Sequence, residues 1–485
     1  MLNLKTIQYS LGQLLFVEAI MLAICLGVGI IYHETDWTPF GISSVVCLAF
    51  GLVLRAGGRG SDGTMNQRDG YLVVTLAWVL FSTFGTLPFI LSGTETRLSA
   101  AFFEAISGFT TTGATALSQI DTLPHSILFW RSLMHWIGGV GIIFFMVALL
   151  PQMNIGEHKM FSAETTGLKI RKLHPRFATT AHWIGSLYLV LTLSCAVTYY
   201  IAGMGPFDAI NHAMSTMSTG GFSTHAESIG WFHSPTIEWI VIGFMFLGGM
   251  NFTLIFLLVI KRRLRPLRQD GEFHTYVTIL LSMTLICAVS LIIFKNREVP
   301  NAIRSGAFHV TALMTTTGFT TEDFMLWPLG LWLPLTFITA IGACSGSTSG
   351  GIKIVRLIAI WKVTLREFRR ILHPHAVFPI RVNGSLIDNA IVRNIFVFFV
   401  CYFSLTFVGT LLMMTMGISL LDSVSCCITA LSNVGPGHGY MVGPLDSYAA
   451  YPDAALWINS FLMLAGRLEI FVVLLPLMPA FWRKR

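Results

Sequence analysis

Charge is the first thing this sequence has little of. Asp, Glu, Lys and Arg make up 11% of its 485 residues, against roughly 25% in a soluble domain. So little charge cannot cover a water-facing surface, which excludes a soluble globular fold. Cysteine is sparse too. The eight (Cys25, Cys47, Cys195, Cys287, Cys344, Cys401, Cys426, Cys427) lie in or beside apolar segments without metal-ligand spacing. That excludes a disulfide framework and a zinc site, and leaves buried, inert thiols. The first apolar segment is also not expected to be a cleaved leader. The first apolar segment, about Leu11 to Tyr32, exceeds the ~7–15-residue core of a signal peptide, and no small-residue cleavage site follows it. It reads as a retained helix. Finally, Lys and Arg are absent from Ala114 to Pro124, Gly221 to Pro235, Phe319 to Gly330 and Pro436 to Asp453.

What is present is apolar sequence in runs of ~20 residues, the length that spans a bilayer. Hydrophobic residues are 54% of the chain and the mean hydropathy is +0.70. The expected class is an all-α polytopic membrane protein. Basic residues cluster in alternate loops: Arg55, Arg59 and Arg68; Lys159 to Arg176; Lys261 to Arg268; Lys362 to Arg370 with Arg381; and the terminal Arg-Lys-Arg. The positive-inside rule assigns these to the cytoplasm and the Lys/Arg-free stretches to the outside, with Arg97, Lys295, Arg297 and Arg304 as outward exceptions. The net charge of +7 is thus a topology signal and a possible docking surface, and nucleic acid is not an expected partner.

Two spanning helices come first, at about Leu11 to Tyr32 and Phe40 to Leu54. A unit then recurs four times: a long apolar segment, a short semi-polar one, a Thr/Ser/Gly knot, an outward loop, and a second long apolar segment with a small-residue step. Expected boundaries are 1–69 for the N-terminal pair and 70–176, 177–274, 275–389 and 390–485 for the repeats. The knots are "TTTGA", "MSTGG", "TTTGF" and "SNVGP", with aligned glycines at Gly113, Gly220, Gly318 and Gly435. Steps at Gly138-Gly139, Gly248-Gly249, Gly342-Ala343 and Ala465-Gly466 follow roughly 25 to 30 residues later. About ten helical residues before each knot extend ~15 Å, half of a ~30 Å hydrocarbon core. Each such segment enters the membrane without crossing it. Pro206 fits the first turn of the second, and Asp422 the start of the fourth. Ten crossings put both termini inside, with no separate soluble domain.

Non-helical backbone at membrane depth is tolerated only where protein or a wet cavity satisfies it. Four such strands on one axis would present rings of carbonyl oxygens that replace a cation's hydration shell. Half-helix C-termini would add negative potential, and Thr hydroxyls a lower layer of oxygens. The competing reading is that these small residues are helix-packing surfaces; four knots in phase favour the pore.

Fourfold helix–half-helix–filter–helix repeats with one filter glycine each resemble the Trk/Ktr/HKT potassium transporters. The two extra helices, "SGFTTTGAT", "TTTGFTT", "GGIK" and "GRLE" resemble its bacterial TrkH branch, over nearly the whole chain. The resemblance implies potassium-selective uptake (rubidium and some sodium also passing) across a bacterial inner membrane. It further implies a homodimer in lipid and a cytosolic nucleotide-binding regulator of the TrkA type, with no cofactor on this chain. Carried over by position, ion contacts are the backbone carbonyls of Thr111, Thr112 and Gly113; Thr219 and Gly220; Thr316, Thr317 and Gly318; and Asn433, Val434 and Gly435. The fourth knot departs most, with no threonine and Pro436 following. Most of these loops carry one glycine where a true potassium channel carries two, which points to looser selectivity.

The apolar run Leu329 to Trp361 exceeds one span and holds "GACSGSTSGG". Its central Gly346, Ser347, Thr348, Ser349 and Gly350 are poor helix material, so a loop below the filter is expected, acting as a gate or as a packed kink. Lys353 is either its anchor or the start of the next helix. Arg467, central in the last span, costs ~2.5–3.5 kcal/mol on insertion scales. It reads as a control element in the cavity or as one half of an ion pair between repeats; Glu469, on another face, is not its obvious partner. The outward acids Asp121, Glu227, Glu322, Asp323, Asp446 and Asp453 can concentrate cations or be plain loop residues. An intramembrane serine protease built on Ser345 and His135 lacks the Gly its motif needs at Ala343 and leaves three knots unexplained. No phosphate loop fits "GSTSGGIK". Passive gated permeation is favoured over sodium or proton coupling, because no buried carboxylate chain is evident.

Overall fold

A computed structural model describes residues 2–34, 37–61, 63–144, 174–376, 378–383 and 385–483. Most of the expected cytoplasmic segment Lys159 to Arg176, and the last two residues of the C-terminal Arg-Lys-Arg, lie outside the described residues.

The first two helices, Leu4–Ile31 and Thr38–Gly57, form an antiparallel pair. They meet at a small-residue contact: a Cβ added at Gly12 would lie 2.8 Å from the Gly51 carbonyl oxygen. Pro39 sits in the first turn of the second helix, where its missing N–H costs nothing.

Four repeats follow. Their outer helices are Gln67–Gly85, His174–Ile201, Gly271–Lys295 and Asn389–Thr415. The half-helices are Leu98–Phe109, Pro206–Met217, Val299–Met314 and Leu420–Ser432. The inner helices begin at His125, Pro235, Trp332 and Asp453. Pro206 opens the second half-helix, while Ser419 caps the fourth and Asp422 lies in its first turn.

The radial order is written in burial. Of the spanning windows, 22% is buried for Thr38–Gly57 and 28% for both Gly271–Lys295 and Asn389–Thr415, against 78% for His125–Ile143. The first group carries exposed apolar side chains such as Val45, Leu281 and Phe407, which suits lipid. The inner helix is wrapped by protein.

Seven unbroken helices among the described residues are long and apolar enough to cross a bilayer. Two further helix pairs are long and apolar enough only when taken together and are sharply bent, Pro235–Gly248 with Phe252–Val259 at 105° and Asp453–Arg467 with Phe471–Leu477 at 116°. In the third repeat the apolar helix Trp332–Ile341 is followed by a loop and then by Ile354–Leu372. The small-residue steps therefore do two things. Three are breaks, while the helix through Gly138-Gly139 runs on to Phe144. Three, at Gly138, Gly248 and Gly466, bring the inner segment against the filter region, while Gly342 packs against Gly350 of its own loop. A Cβ at Gly138 would lie 2.1 Å from the Phe109 carbonyl oxygen, and one at Gly466 2.1 Å from that of Leu431. These carbonyls end the first and fourth half-helices. Between Arg381–Val382 and Ser385–Leu386 the chain makes a two-residue antiparallel hairpin.

All eight cysteines are free, seven of them buried. Gly466→Ala is expected to force the last span off its half-helix, lowering the thermal stability of the detergent-purified protein. An unchanged unfolding temperature contradicts this packing.

Candidate ion pathway

Each half-helix ends in the same way. The N–H of Thr111, Thr219, Thr316 and Asn433 turns back to the carbonyl of Gly108, Thr216, Leu313 and Ala430. All four residues are left-handed, with φ of 52°, 54°, 59° and 56°. Asn tolerates that region; a β-branched Thr there is an outlier, and such strain costs on the order of 1–3 kcal/mol each. Three threonines held identically mark a built conformation. Two of them are held through their hydroxyls: Thr219 Oγ1 donates to Ser218 O at 2.7 Å, and Thr316 Oγ1 accepts from Gly350 N at 2.7 Å.

This register corrects the alignment of the second knot. The residue two after each left-handed one is Gly113, Gly221, Gly318 and Gly435. The first three have φ of 80°, 87° and 74°. Gly220 is thus the counterpart of Thr112, Thr317 and Val434, not of Gly113. A side chain at Gly220 would strike the His135 ring 2.3 Å away. The fourth knot also becomes regular: Asn433 supplies the left-handed turn, its Nδ2 donating to Thr112 Oγ1 at 3.1 Å and Met463 O at 2.9 Å. Only Gly435, before Pro436, lacks the positive φ.

The four strands close on one another. A Cβ at Gly113 would lie 2.0 Å from Gly220 O, and one at Gly221 2.0 Å from Thr317 O. One at Gly318 would lie 2.8 Å from Pro436 Cδ, and one at Gly435 2.5 Å from Gly113 O. Just outside, a second circuit closes. Arg131 Nη1 donates to Ser223 O at 3.0 Å, and Gly230 N to Thr320 O at 3.2 Å. Thr320 Oγ1 donates to Pro444 O at 3.4 Å, and Tyr448 N to Thr115 O at 2.8 Å. Between the circuits lies a cavity of about 320 Å³ whose walls include Gly113, Gly221, Gly318 and Gly435.

Groups unremarked in the sequence hold the circuits in place. Glu104, within the first half-helix, accepts from Arg131 Nε at 2.8 Å and Ala116 N at 2.9 Å. Both side chains are buried, and Arg131 lies over the Phe222 ring at 4.0 Å. The equivalent His212 and His309 reach Ser223 Oγ at 2.9 Å and Thr321 N at 3.5 Å. A carboxylate or imidazole six residues before a knot's first hydroxyl was the available signal.

At the mouth the acids are mostly engaged. Glu322 pairs with Arg297 at 2.7 Å, and Asp453 accepts from Ser99 at 2.6 Å. The outward cations Arg97, Arg297 and Arg304 are likewise partnered, through Ala449 O, Glu322 and Glu238, which explains their tolerance there. His225 lies between Asp121 at 3.4 Å and Asp208 at 3.6 Å. Burial works against its charge, but the two carboxylates outweigh it and raise its pKa above the ordinary value.

On the opposite side of the strands sits the loop 342–353. Thr348 Oγ1 donates to Met217 O at 3.1 Å and lies 3.3 Å from Thr219 Oγ1. A Cβ at Gly350 would lie 2.1 Å from Ser432 O. Arg467 donates from Nη1 to Thr348 O at 2.7 Å and from Nη2 to Gly138 O at 3.2 Å. Lys353 bonds to Ser349 O and Oγ. Glu469 pairs with Arg356, so Arg467 is held by carbonyls and not by a carboxylate. Ser347 Oγ is 2.7 Å from Ser349 Oγ, and Gly346 O accepts from Phe252 N at 3.0 Å. The protease pair is not assembled: His135 bonds to Ser215 and Phe222 N, while Ser345 N donates to Glu272.

The four strands thus form a ring beneath the mouth and above the loop 342–353. The family model TrkH, described as a cation transport protein, matches residues 39–484. The chain belongs to the TrkH family. It is 37% identical over 462 residues to the Trk system potassium uptake protein TrkH of Salmonella typhimurium, covering 94% of this chain and 95% of that protein. The Halomonas elongata protein of the same name is 36% identical over 485 residues, the full length of both. TrkG of Escherichia coli is 31% identical over 483 residues, 99% of each. The crystal structure of the potassium transporter TrkH from Vibrio parahaemolyticus superposes with a TM-score of 0.91 at 35% identity, covering 99% of this chain and 100% of that one. TrkH-family proteins are transporters and not enzymes, and this member is a multi-pass membrane protein.

Removing one partner of a buried ion pair costs about 3–5 kcal/mol. Glu104→Gln is therefore expected to lower thermal stability sharply, and Glu104→Gln with Arg131→Met to lower it less. A double variant worse than Glu104→Gln contradicts the clamp.

Proposed function

We propose that this chain carries potassium inward through one central pore, dehydrated by backbone carbonyls at Thr111, Thr112 and Gly113; Thr219, Gly220 and Gly221; Thr316, Thr317 and Gly318; and Asn433, Val434 and Gly435. The closure of the four strands carries the reading. Peptide oxygens in such a ring replace water around a monovalent cation, and four half-helices aim their negative C-terminal ends at the same place. The relatives' names identify potassium as the ion, with rubidium as its close mimic. The adjoining layer of hydroxyls, Thr110, Ser218, Thr315 and Ser432, occupies one equivalent position in every repeat.

The loop from Gly346 to Gly350 is the gate in this reading. It contacts the second, third and fourth repeats, and Arg467 ties it to the first through Gly138 O. A fixed positive charge there opposes cation passage, so opening requires loop and guanidinium to part. Conduction is passive in this reading: of the buried carboxylates, Glu104 and Glu469 each face an arginine, Glu272 accepts from Ser345 N and Val355 N and Glu18 from Cys47, an arrangement we read as no proton relay. Residence in a bacterial inner membrane with both termini inside, a homodimer, and a TrkA-type cytosolic regulator complete the proposal from the family resemblance.

Purified protein in vesicles is expected to take up rubidium, with potassium competing far better than sodium. Gly113→Ser, Gly221→Ser and Gly318→Ser should each erode that preference; unchanged selectivity in all three contradicts the filter assignment. Deleting Gly346 to Gly350 should raise flux, whereas equal or lower flux counts against a gate.

A further inference from the structure

Three of the four strands carry a side chain just before the glycine: Thr112, Thr317 and Val434, all buried. The second strand has Gly220 there. Its N–H bonds to Ser215 O at 2.8 Å, as Thr112 N bonds to Ser107 O and Val434 N to Thr429 O at 2.9 Å, so its register matches theirs. The φ of Gly220 lies outside the left-handed region, and its backbone would accept a side chain. Space alone keeps it glycine.

A ring from the first repeat fills that space. A Cβ on Gly220 would lie 2.3 Å from Nδ1 and 2.5 Å from Cγ of His135. His135 is fully buried and sits one turn after Arg131 on the helix His125–Phe144, so both face the same strand. Its imidazole lies flat on the Phe222 ring, with centroids 4.1 Å apart and planes 8° apart. Nδ1 accepts from Phe222 N at 3.4 Å and lies 3.4 Å from Ser215 Oγ. Arg131 holds the next residue through Ser223 O. The second strand is thus gripped at Gly220, Phe222 and Ser223 by one face of a neighbouring helix.

A glycine in a strand has no side chain of its own to pack. Ion preference in a carbonyl filter is set by the cavity's size or by the field of its carbonyls, and a strand free to recoil alters both. Resting on the filter reading, we propose that His135 is a positioning residue for ion selectivity. Its ring takes the place of the side chain that Gly220 lacks and fixes the carbonyls of the second strand.

Rubidium uptake into vesicles, with sodium as competitor, tests this on two variants and their combination. His135→Ala empties the space behind Gly220 and is expected to lower the preference for rubidium over sodium severalfold. Gly220→Thr drives a side chain into the ring and should do the same. Combined, they place at Gly220 the residue type of Thr112 and Thr317 with room to pack, and most of the preference should return. A ring that merely supports the fold would change thermal stability or total uptake, not this ratio, and the two losses would add. His135→Asn, which keeps a polar atom near Nδ1 but not the rest of the ring, serves if His135→Ala does not fold, and should show part of the loss. An unchanged ratio in the His135 variants overturns the proposal, as does a double variant no more selective than either single one. If Gly113→Ser, Gly221→Ser and Gly318→Ser also leave the ratio unchanged, the filter reading fails with it; if they erode it, only the role of His135 fails.

Discussion

Backbone that leaves the helix inside a bilayer has no water to satisfy it, and that constraint organises this molecule. Four times the chain ends a half-helix, enters a left-handed turn and runs on as an extended strand. Each strand needs partners for its polar groups without blocking the axis. The neighbouring strands come so close that side chains at Gly113, Gly221 and Gly435 would collide with carbonyl oxygens. Glycine is kept there for lack of room as much as for backbone freedom. The threonines beside it are held at φ values they resist, fastened by hydroxyl and methyl contacts to the surrounding helices.

That strain must be opposed by the shell. The buried Glu104–Arg131 pair does so between the first and second repeats, His212 and His309 within the second and third, and Asn433 between the fourth and first. Of these anchors Glu104, His212 and His309 sit in the half-helices themselves. Their expense in desolvation is offset where they fix the loops leaving the strands. The loop 342–353 uses the same device on the far side. Its Thr348 bonds to Met217 O, a carbonyl that a half-helix end leaves unpaired, while Ser347 and Ser349 bond to each other within the loop, so it seats tightly without covalent or ionic attachment to the strands.

Much of this was legible from residue type and spacing. The N-terminal helix pair, the four half-helices and the break at Gly342 follow from apolar run length and from clusters of Gly, Ser and Thr. The register of the second knot did not, because Gly220 and Gly221 are adjacent and spacing alone cannot choose between them; only the backbone angles decide. The regularity of the fourth knot was hidden by Asn433, which replaces threonine because both can be held in the left-handed turn. Pairings across the fold were also invisible. Arg356 with Glu469 and Arg467 with Thr348 join residues more than a hundred positions apart, and no local pattern announces them.

The most direct measurement of the central claim is crystallography of the protein grown in rubidium, with anomalous scattering used to locate the ion. Density on the axis among the carbonyls of Thr112, Gly220, Thr317 and Val434 is the predicted result. Rubidium bound only at the mouth or between helices, with nothing on that axis, would contradict the account.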